Sequence, residues 1–261
     1  MRAPIFQLDA FTTRLFAGNP AAVIRLDAYP ADDLLQAIAA ENNLAETAFI
    51  LTDGDDYRLR WFTPAVEVEL CGHATLVSAA VVMERLEPAR RRVVFHTRSG
   101  ALTVQRTEAG YVMDFPARAS TAIDSPPGIA DALGAVPNGV FWDGFNYLVL
   151  LDQAATVRTL TPDIAAIARI ARDGMIVTAQ GDRDYDFTSR YFAPSKGIAE
   201  DPVTGGAHCA LAPFWAGRLG KTVFRAYQAS HRGGEVICRA KGHRVELEGS
   251  CVFYLEGMVD I

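Results

Sequence analysis

The chain has 261 residues, half of them hydrophobic and 21% charged, with a formal net charge of −6 and a sequence pI of about 5.4. This balance excludes a disordered or fibrous chain and predicts a globular protein of one large or two ordinary domains. The longest basic cluster is Arg90–Arg92, so the pattern of a nucleic-acid-binding protein is missing.

The first half alternates strands with two helices. Pro30 and the acidic pair Asp32 and Asp33 mark the start of the first helix. The second helix has almost no polar face, so we expect it to be buried nearly all round with strands wrapped about it. In chain order, we predict strands at 5–11 and 21–26, a helix at 31–40, strands at 47–51 and 57–62, a helix at 73–86, and strands at 92–96, 100–105 and 110–115.

The second half shows the same order of elements. Pro213 lies inside its long apolar run, where proline removes a helix hydrogen bond, so we expect that helix to kink or to stop early. The predicted elements are strands at 146–151, a helix at 162–172, strands at 174–179 and 185–192, a helix from about 205, and strands near 222–226, 234–240, 243–248 and 251–256.

Two segments of the chain repeat one another. Arg60–Pro64 matches Arg190–Pro194 at an offset of 130 residues, and Leu70–Ala74 then matches Val203–Ala207 after a three-residue insertion. Such a repeat indicates a duplicated unit of roughly 125 to 130 residues, which is far longer than the repeats of solenoid proteins.

The duplication predicts an α+β protein of two pseudo-symmetric domains, each a mostly antiparallel sheet rolled around a central helix. Residues 120–128 are rich in Ala, Ser, Thr, Asp, Pro and Gly and mark the seam between the halves. We expect domains at 1–118 and 119–261, with the C-terminal strand able to rejoin the first.

The two repeated helix starts form a candidate binding site. Cys71–His73 and Thr204–Gly206 would present backbone N–H groups at helix N-termini. Glycine lets a ligand approach the backbone closely, so Gly72, Gly205 and Gly206 are candidate substrate-binding residues. If both ends face one cleft, they can hold a small carboxylate-bearing molecule. The alternative is that these glycines only permit tight turns.

Glu46 is the carboxylate that stands out. It shares strand parity with Ala48 and Ile50, while Thr47 and Phe49 take the other face, so neither face of this strand reads as solvated. A carboxylate in such a wall is expected to be partly desolvated, which suits general acid/base chemistry. A structural role in capping or turn bonding is the alternative.

Three more polar residues are candidates. Asp201 precedes the second helix start, where a capping role competes with catalysis. His73 could exchange hydrogen bonds with a substrate, or simply cap or pack, and His208 reads as packing. With Glu46 these residues lack a helical His-x-x-x-His spacing, and the chain has no phosphate-binding glycine pattern. We therefore predict no metal site and cofactor-free chemistry.

The cysteines and the N-terminus bear on the compartment. Cys71, Cys209, Cys238 and Cys251 form no Cys-x-x-Cys pair and no zinc-like spacing. Residues 1–24 lack the pattern of a secretory signal, and an apolar run of about 18 residues is missing. We expect a reduced, cytoplasmic protein without membrane spans.

Six ordered motifs resemble the phenazine-biosynthesis isomerase family. They run from residue 9 to about 220, so the resemblance covers most of the chain. The motifs are Asp9–Thr12, Gly18–Val23, Asn43–Thr47, Phe62–Pro64, Cys71–Thr75 and Glu200–Gly205. The resemblance implies a fold similar to that of diaminopimelate epimerase, with two pseudo-symmetric domains and the active site in the cleft. It also implies a homodimer.

The same resemblance implies a chemistry. In the phenazine enzyme, trans-2,3-dihydro-3-hydroxyanthranilate is isomerised without a cofactor by a proton shift in which a glutamate is the general acid/base. That role falls on Glu46. His73 and Asp201 would assist by hydrogen bonding and proton handling, with Gly72 lining the pocket. The expected protein is a cofactor-independent isomerase acting on a small anionic metabolite.

Departures from the family pattern keep two other functions open. The phenazine enzyme has serine at the position of Gly206 and alanine at that of Cys71, so one polar group is missing and a thiol is added. In epimerase relatives two cysteines act as acid and base, but here Thr204 holds the second place, and a hydroxyl is too weak an acid to replace a thiol. The alternatives are a single-thiol epimerase or racemase using Cys71, and a non-catalytic metabolite-binding protein.

Overall fold

The computed structural model of the protein describes residues 2–261. The chain forms two units. The first comprises Met1–Asp114 together with Glu248–Ile261, and the second comprises Phe115–Leu247.

All the strands and helices predicted for the first half are present, with their ends shifted by a few residues. In chain order they are β1 (Arg2–Ala10), β2 (Asn19–Leu26), α1 (Asp32–Asn42), β3 (Glu46–Asp53), β4 (Asp56–Phe62), β5 (Glu67–Val68), α2 (Gly72–Val81) with a π-helical turn at Val82–Leu86, β6 (Arg92–Thr97), β7 (Gly100–Arg106) and β8 (Tyr111–Pro116).

The strands of the first unit pair mostly in antiparallel fashion. β1 pairs with β2, β3 with β4, β6 with β7, and β7 with β8 in this way. The pairs β2–β3 and β4–β6 are parallel, because α1 and α2 form the crossovers that parallel strands require. The parallel register sets Ala21 of β2 beside Glu46, the first residue of β3.

Helix α2 is the centre of the first unit. It packs against β1, β2, β3 and β7, and each residue from His73 to Val81 is buried. Its two hydroxyls bond within the helix, since Thr75 Oγ1 donates to Cys71 O over 2.6 Å and Ser78 Oγ donates to Ala74 O over 2.7 Å. The helix can therefore be enclosed without leaving these polar groups unsatisfied. The predicted buried helix is confirmed.

The second unit continues the chain with a similar order of elements. They are β9 (Thr121–Ile123), α3 (Ile129–Leu133), β10 (Gly139–Trp142), β11 (Asn146–Leu150), α4 (Ala154–Thr159), α5 (Ile164–Ile170), β12 (Gly174–Gln180), β13 (Phe187–Phe192) with a 3₁₀ turn at Pro194–Lys196, α6 (Gly205–Leu219), β14 (Val223–Gln228), β15 (Gly234–Lys241) and β16 (Arg244–Gly249). The last strand, β17 (Cys251–Asp260), pairs antiparallel with β1 of the first unit.

Strand pairing confirms the internal duplication. The pair β11–β12 is parallel, β12–β13 antiparallel, β13–β14 parallel and β14–β15 antiparallel. This is the order found from β2 to β7 of the first unit, where α2 occupies the place that α6 takes in the second. The fold is thus the predicted α+β architecture, with a similar series of strands and a similar central helix in each unit.

One part of the expectation about α6 is wrong. Pro213 was expected to kink the helix or to stop it early, and the early stop does not occur, because α6 continues through Pro213 to Leu219. Proline cannot donate a hydrogen bond to the carbonyl of Cys209, but the Arg118 N–H donates to that oxygen over 2.9 Å. The freed carbonyl is therefore satisfied from outside the helix.

Short elements of the second unit escape the sequence prediction. Helix α3 has five residues and α4 has six, which is less than two turns each. Gly128 and Gly134, both with positive φ, bound α3 and leave no room for a periodic apolar pattern.

Two further features concern the cysteines and the helices of the described chain. The four cysteines carry free thiols. Between residues 2 and 261, no helix combines the length and the apolar character needed to cross a membrane.

Candidate active site

Glu46 lies in a buried wall of the first unit. It is the first residue of β3 and is 8% exposed, and Thr47, Ala48, Phe49 and Ile50 after it are also buried. Both edges of β3 are paired, with β2 and β4, and its faces are covered by α1 and α2, which both pack against it. Its carboxylate is therefore largely withdrawn from water.

His73 faces this carboxylate from the start of α2. Its imidazole Nε2 lies 3.0 Å from Glu46 Oε2, and the two side chains are 5% and 11% exposed. His73 is the second residue of α2, so the helix fixes its backbone while β3 fixes that of Glu46. The contact brings together two of the residues that the sequence singled out.

The other nitrogen of His73 has two neighbours. Asn19 Nδ2 lies 3.2 Å from Nδ1, and Cys71 Sγ lies 3.5 Å from it. An amide can donate through Nδ2 to a neutral imidazole, or accept through Oδ1 from an imidazolium after a half-turn. Asn19 therefore suits both protonation states of His73. It belongs to the Gly18–Val23 motif, which is the one signal in the sequence that could have pointed to it.

Burial and charge set the protonation of this cluster. Burial and the nearby charge of Glu46 raise the pKa of the Cys71 thiol to about 11, so the thiol keeps its proton at neutral pH. For His73, burial lowers the pKa, whereas the charge of Glu46 and the contacts with Cys71 and Glu46 raise it, and the result lies well above the ordinary value. The imidazole can therefore carry a proton next to the Glu46 carboxylate.

The cluster suits proton transfer better than metal binding. Glu46, Cys71 and His73 offer ligand atoms that all lie within 4.8 Å of one another. The closest contacts in it run along the imidazole, with Cys71 Sγ at Nδ1 and Glu46 Oε2 at Nε2, which is the arrangement of a proton relay.

Of the other predicted site residues, Gly72 is the first residue of α2 in the first unit, whereas Asp201, Gly205 and Gly206 lie in the second unit at or just before the start of α6. Asp201 Oδ2 accepts a hydrogen bond from Thr204 Oγ1 over 2.5 Å. Gln228 holds the same turn, because its Oε1 accepts from Thr204 N over 2.9 Å and its Nε2 donates to Asp201 O over 2.7 Å. Gly205 and Gly206 follow as the first two residues of the helix. Gln228 was not foreseen, since it lies on a distant strand.

His208 is enclosed in the second unit. Its Nδ1 lies 2.8 Å from Thr204 O, and its ring lies 6.0 Å from that of Phe187 between centroids. Burial lowers the pKa of His208 to about 4, so the side chain is neutral at physiological pH. These contacts are those of a packed histidine one turn inside the helix.

The strand register identifies the equivalents of the catalytic candidates in the second unit. Thr47 pairs with Phe62 and Met175 pairs with Phe192, and the two phenylalanines occupy matching places in the repeat. The residue before Thr47 is Glu46, and the residue before Met175 is Gly174. The carboxylate is therefore replaced by glycine in the second copy.

In the second copy, Tyr191 and Arg118 occupy the space beside the two glycines that replace Glu46 and His73. A Cβ atom on Gly174 would clash with the hydroxyl of Tyr191, which donates to Asn146 Oδ1 over 3.0 Å. The equivalent of His73 is Gly206, the second residue of α6, and there a Cβ atom would lie 2.7 Å from Arg118 Nη2. The two copies thus keep one backbone but carry different polar groups.

Comparison with known proteins places the chain in a family. Residues 8–257 match the family model described as phenazine biosynthesis-like protein. The chain is 49% identical over 259 residues to an uncharacterised isomerase of Pseudomonas aeruginosa, with 99% of each chain covered. It also matches the crystal structure of a phenazine biosynthesis protein of the PhzF family from Enterococcus faecalis, with a TM-score of 0.96, 40% identity and 100% of both chains covered.

A more distant match concerns the fold alone. The crystal structure of a hydroxyproline epimerase from Agrobacterium vitis, with trans-4-hydroxy-L-proline bound, gives a TM-score of 0.61 at 12% identity, covering 99% of this chain and 91% of that one. This likeness agrees with the epimerase-like fold that the motifs implied. The resemblance is confirmed, and the chain belongs to the phenazine biosynthesis-like protein family.

Proposed function

We propose that the protein is a cofactor-independent isomerase that moves a proton within a small carboxylate-bearing substrate, with Glu46 as general base and then general acid. The observation that carries this proposal is the buried contact of 3.0 Å between Glu46 Oε2 and His73 Nε2. The name isomerase, given to the Pseudomonas aeruginosa relative at 49% identity, supports the reaction class.

The proposed reaction balances without an oxidant or a reductant. The Glu46 carboxylate removes a proton from a carbon next to a π system of the substrate, and the C–H electrons enter that system. The double bond shifts, and the carboxyl group returns the proton to another carbon. One C–H bond breaks and one forms, so the product is an isomer of the substrate. A positioned acid/base group of this kind contributes roughly 10² to 10⁴ in rate.

His73 serves the carboxylate in this scheme. Because Nε2 faces Oε2, the imidazole holds Glu46 in one orientation and supplies a proton-bearing neighbour on the side away from the substrate. Gly72, Asp201, Gly205 and Gly206 are proposed to bind the substrate or to handle its other protons, as the family resemblance implies. The homodimer and the cytoplasmic location stay predictions.

Replacing Glu46 by Gln tests the proposal. We expect Glu46→Gln to lower the incorporation of solvent deuterium into trans-2,3-dihydro-3-hydroxyanthranilate and other unsaturated cyclic carboxylates by roughly 10² to 10⁴-fold. Glu248→Gln is the matched control, because Glu248 is 4% exposed and accepts from Thr107 in the same unit. Wild-type exchange in Glu46→Gln would overturn the assignment, and tight binding without exchange by the wild type would favour a binding protein.

A single-thiol epimerase or racemase is the second candidate function. The contact of 3.5 Å between Cys71 Sγ and His73 Nδ1 favours it, because an imidazole beside a thiol can accept the thiol proton. The raised pKa of Cys71 weighs against it, since only the thiolate acts as a base. Replacement of Cys71 separates the two candidates.

A further inference from the structure

Pro213 creates a docking point for Arg118 on α6. The backbone N–H of Arg118 donates to the carbonyl of Cys209 over 2.9 Å. This carbonyl is available because Pro213 has no N–H to donate to it. The preceding Ala117 N–H donates to His243 O over 2.9 Å, so the segment is tied on two sides. The backbone of Arg118 is therefore fixed against the flank of the helix, one turn from its start.

From this point the Arg118 side chain reaches the first turn of α6. Its Nη2 donates to the carbonyl of Gly206. A Cβ atom at residue 206 would lie 2.7 Å from Nη2, closer than real Cβ contacts, so a larger residue would push the guanidinium away. Gly206 thus provides the space in which the cation lies.

The guanidinium of Arg118 is not saturated by its protein neighbours. Its Nη1 lies 3.7 Å from Asp143 Oδ2, whereas Arg190 binds Glu200 through two hydrogen bonds of 2.7 and 2.9 Å. A guanidinium has five N–H donors. Among residues 2–261 the acceptors near Arg118 are the Gly206 carbonyl and, at longer range, Asp143. Donors are therefore left for a ligand.

Asp143 pairs with the cation at 3.7 Å, which is longer than a hydrogen bond, so it offsets part of the charge without occupying a guanidinium N–H. Its side chain is fully buried and accepts from Phe145 N over 2.8 Å, from Asn146 N over 2.6 Å and from Asn146 Nδ2 over 3.0 Å. These three hydrogen bonds hold the Asp143 carboxylate in its place beside Arg118.

An aromatic face lies beside the cation and reaches solvent. The centroid of the Phe145 ring is 5.5 Å from Arg118 Cζ, and Phe145 is 56% exposed. The Arg118 side chain itself is 26% exposed. A planar carboxylate could pair with the guanidinium through its oxygens while its apolar face covers Phe145.

We propose that Arg118 and Phe145 form the binding site for a planar carboxylate, such as an aromatic or unsaturated cyclic acid. The inference rests on the proposed function for the chemical class of the ligand, an unsaturated acid with a carboxylate, and the site itself lies within the second unit. Arg118 recognises the charge and Phe145 the planar face. Gly206 and Asp143 are positioning residues that keep the guanidinium in place.

Benzoate and its uncharged analogue benzamide test this site by isothermal titration calorimetry. The wild type should bind benzoate more tightly than benzamide, and Arg118→Gln should weaken benzoate by roughly tenfold or more while leaving benzamide unchanged. Equal affinity for benzoate in the wild type and Arg118→Gln would overturn the proposal. The proposal would also be overturned if the wild type did not bind benzoate more tightly than benzamide.

Two further variants keep the result independent of folding defects. Gly206→Ala should weaken benzoate binding as Arg118→Gln does, although the cation is still present. Arg158→Gln is the matched control, because Arg158 is 20% exposed, pairs with Asp182 over 2.7 Å and lies 5.7 Å from the Tyr227 ring. Loss of benzoate binding in Arg158→Gln as well would contradict a local site.

Failure of this inference and failure of the proposed function can be told apart. Glu46→Gln should still prefer benzoate to benzamide, because that preference depends on Arg118. Normal deuterium exchange in Glu46→Gln would refute the proposed function without affecting the proposed binding site. A benzoate preference that persists in Arg118→Gln would refute the binding site without affecting the proposed acid/base role of Glu46.

Discussion

The carboxylate of Glu46 and the imidazole of His73 lie 3.0 Å apart and come from two elements that pack against each other. Glu46 begins a strand held by β2 and β4, and His73 lies on a helix that is buried throughout. Little reorganisation is needed to bring the two groups together, and this favours proton transfer within a fixed geometry.

Asn19 should act as a positioning residue for His73. We expect Asn19→Ala to lower kcat by roughly tenfold to a hundredfold with little change in KM, because the imidazole loses its partner at Nδ1, 3.2 Å away. The pH profile of deuterium exchange should shift as well, which loss of packing alone would not cause. Asn138→Ala, which removes an exposed amide bonded to Asp152, is the control. An unchanged pH profile would contradict this role.

His73 should make the protein less stable as the pH rises. Burial lowers its pKa, but Cys71 and Glu46 raise it by more, to well above 6.5. The folded state then holds a proton that the unfolded chain releases. This stabilisation is complete below about pH 6.5 and is lost as the pH rises through the raised pKa. In urea unfolding between pH 6 and 9, the free energy of unfolding should decline less with pH in His73→Gln than in the wild type. Equal pH dependence in the two proteins would refute the assignment.

His208 should have the opposite effect. Burial lowers its pKa to about 4, so the unfolded chain binds the proton more readily. The stabilisation that neutral His208 gives to the folded state is complete above about pH 6.5. As the pH drops toward 4 it falls, by about 2 kcal/mol in the free energy of unfolding between pH 6.5 and 5. Imidazole NMR signals should report a neutral His208 at pH 5. A titration midpoint near 6.5 would show that the ring is accessible to water.

Cys71 should be dispensable for catalysis. With its pKa raised to about 11 and 6% exposure, its thiol should react with iodoacetamide much more slowly at pH 7.5 than a free cysteine does. Cys71→Ala should keep at least about a tenth of wild-type deuterium exchange, because Glu46 and His73 remain. Exchange abolished by Cys71→Ala and by alkylation of the wild type would instead favour the single-thiol mechanism.

Gly174 should not tolerate a side chain. Gly174→Ala sets a methyl group against the Tyr191 hydroxyl, so we expect a loss of roughly 1 to 3 kcal/mol in the free energy of unfolding. Gly217→Ala is the control, because a Cβ atom there meets nothing within 4 Å and alanine favours a helix. Chemical denaturation should show opposite signs for the two variants, and a stable Gly174→Ala would mean that Tyr191 moves away freely.

Much of the fold was predictable because its main elements are long and repeated. The helix at 73–86 has an apolar pattern that only burial explains, and the match of Arg60–Pro64 with Arg190–Pro194 fixed the order of the second half. Helices α3 and α4 were missed because five or six residues do not complete two turns. The path through Pro213 was missed because the donor to Cys209 comes from a residue far away in the chain.

The candidate site was predictable only in part, for a similar reason. Glu46 could be recognised from strand parity and from its motif, and His73 from its place at a helix start. The roles of Asn19 and Arg118 depend on contacts between distant segments, which local patterns do not encode. Arg118 also lies close to the predicted seam, where a charged residue would ordinarily be assigned to solvent.

The pairing of Gly174 with Tyr191 limits how the second copy can evolve. A carboxylate introduced by Gly174→Glu would collide with the tyrosine ring, and shortening Tyr191 first would remove the hydroxyl that binds Asn146. Each single step is unfavourable, so the two positions constrain one another. A carboxylate is therefore disfavoured at this place of the second copy, whereas the first copy holds Glu46 there.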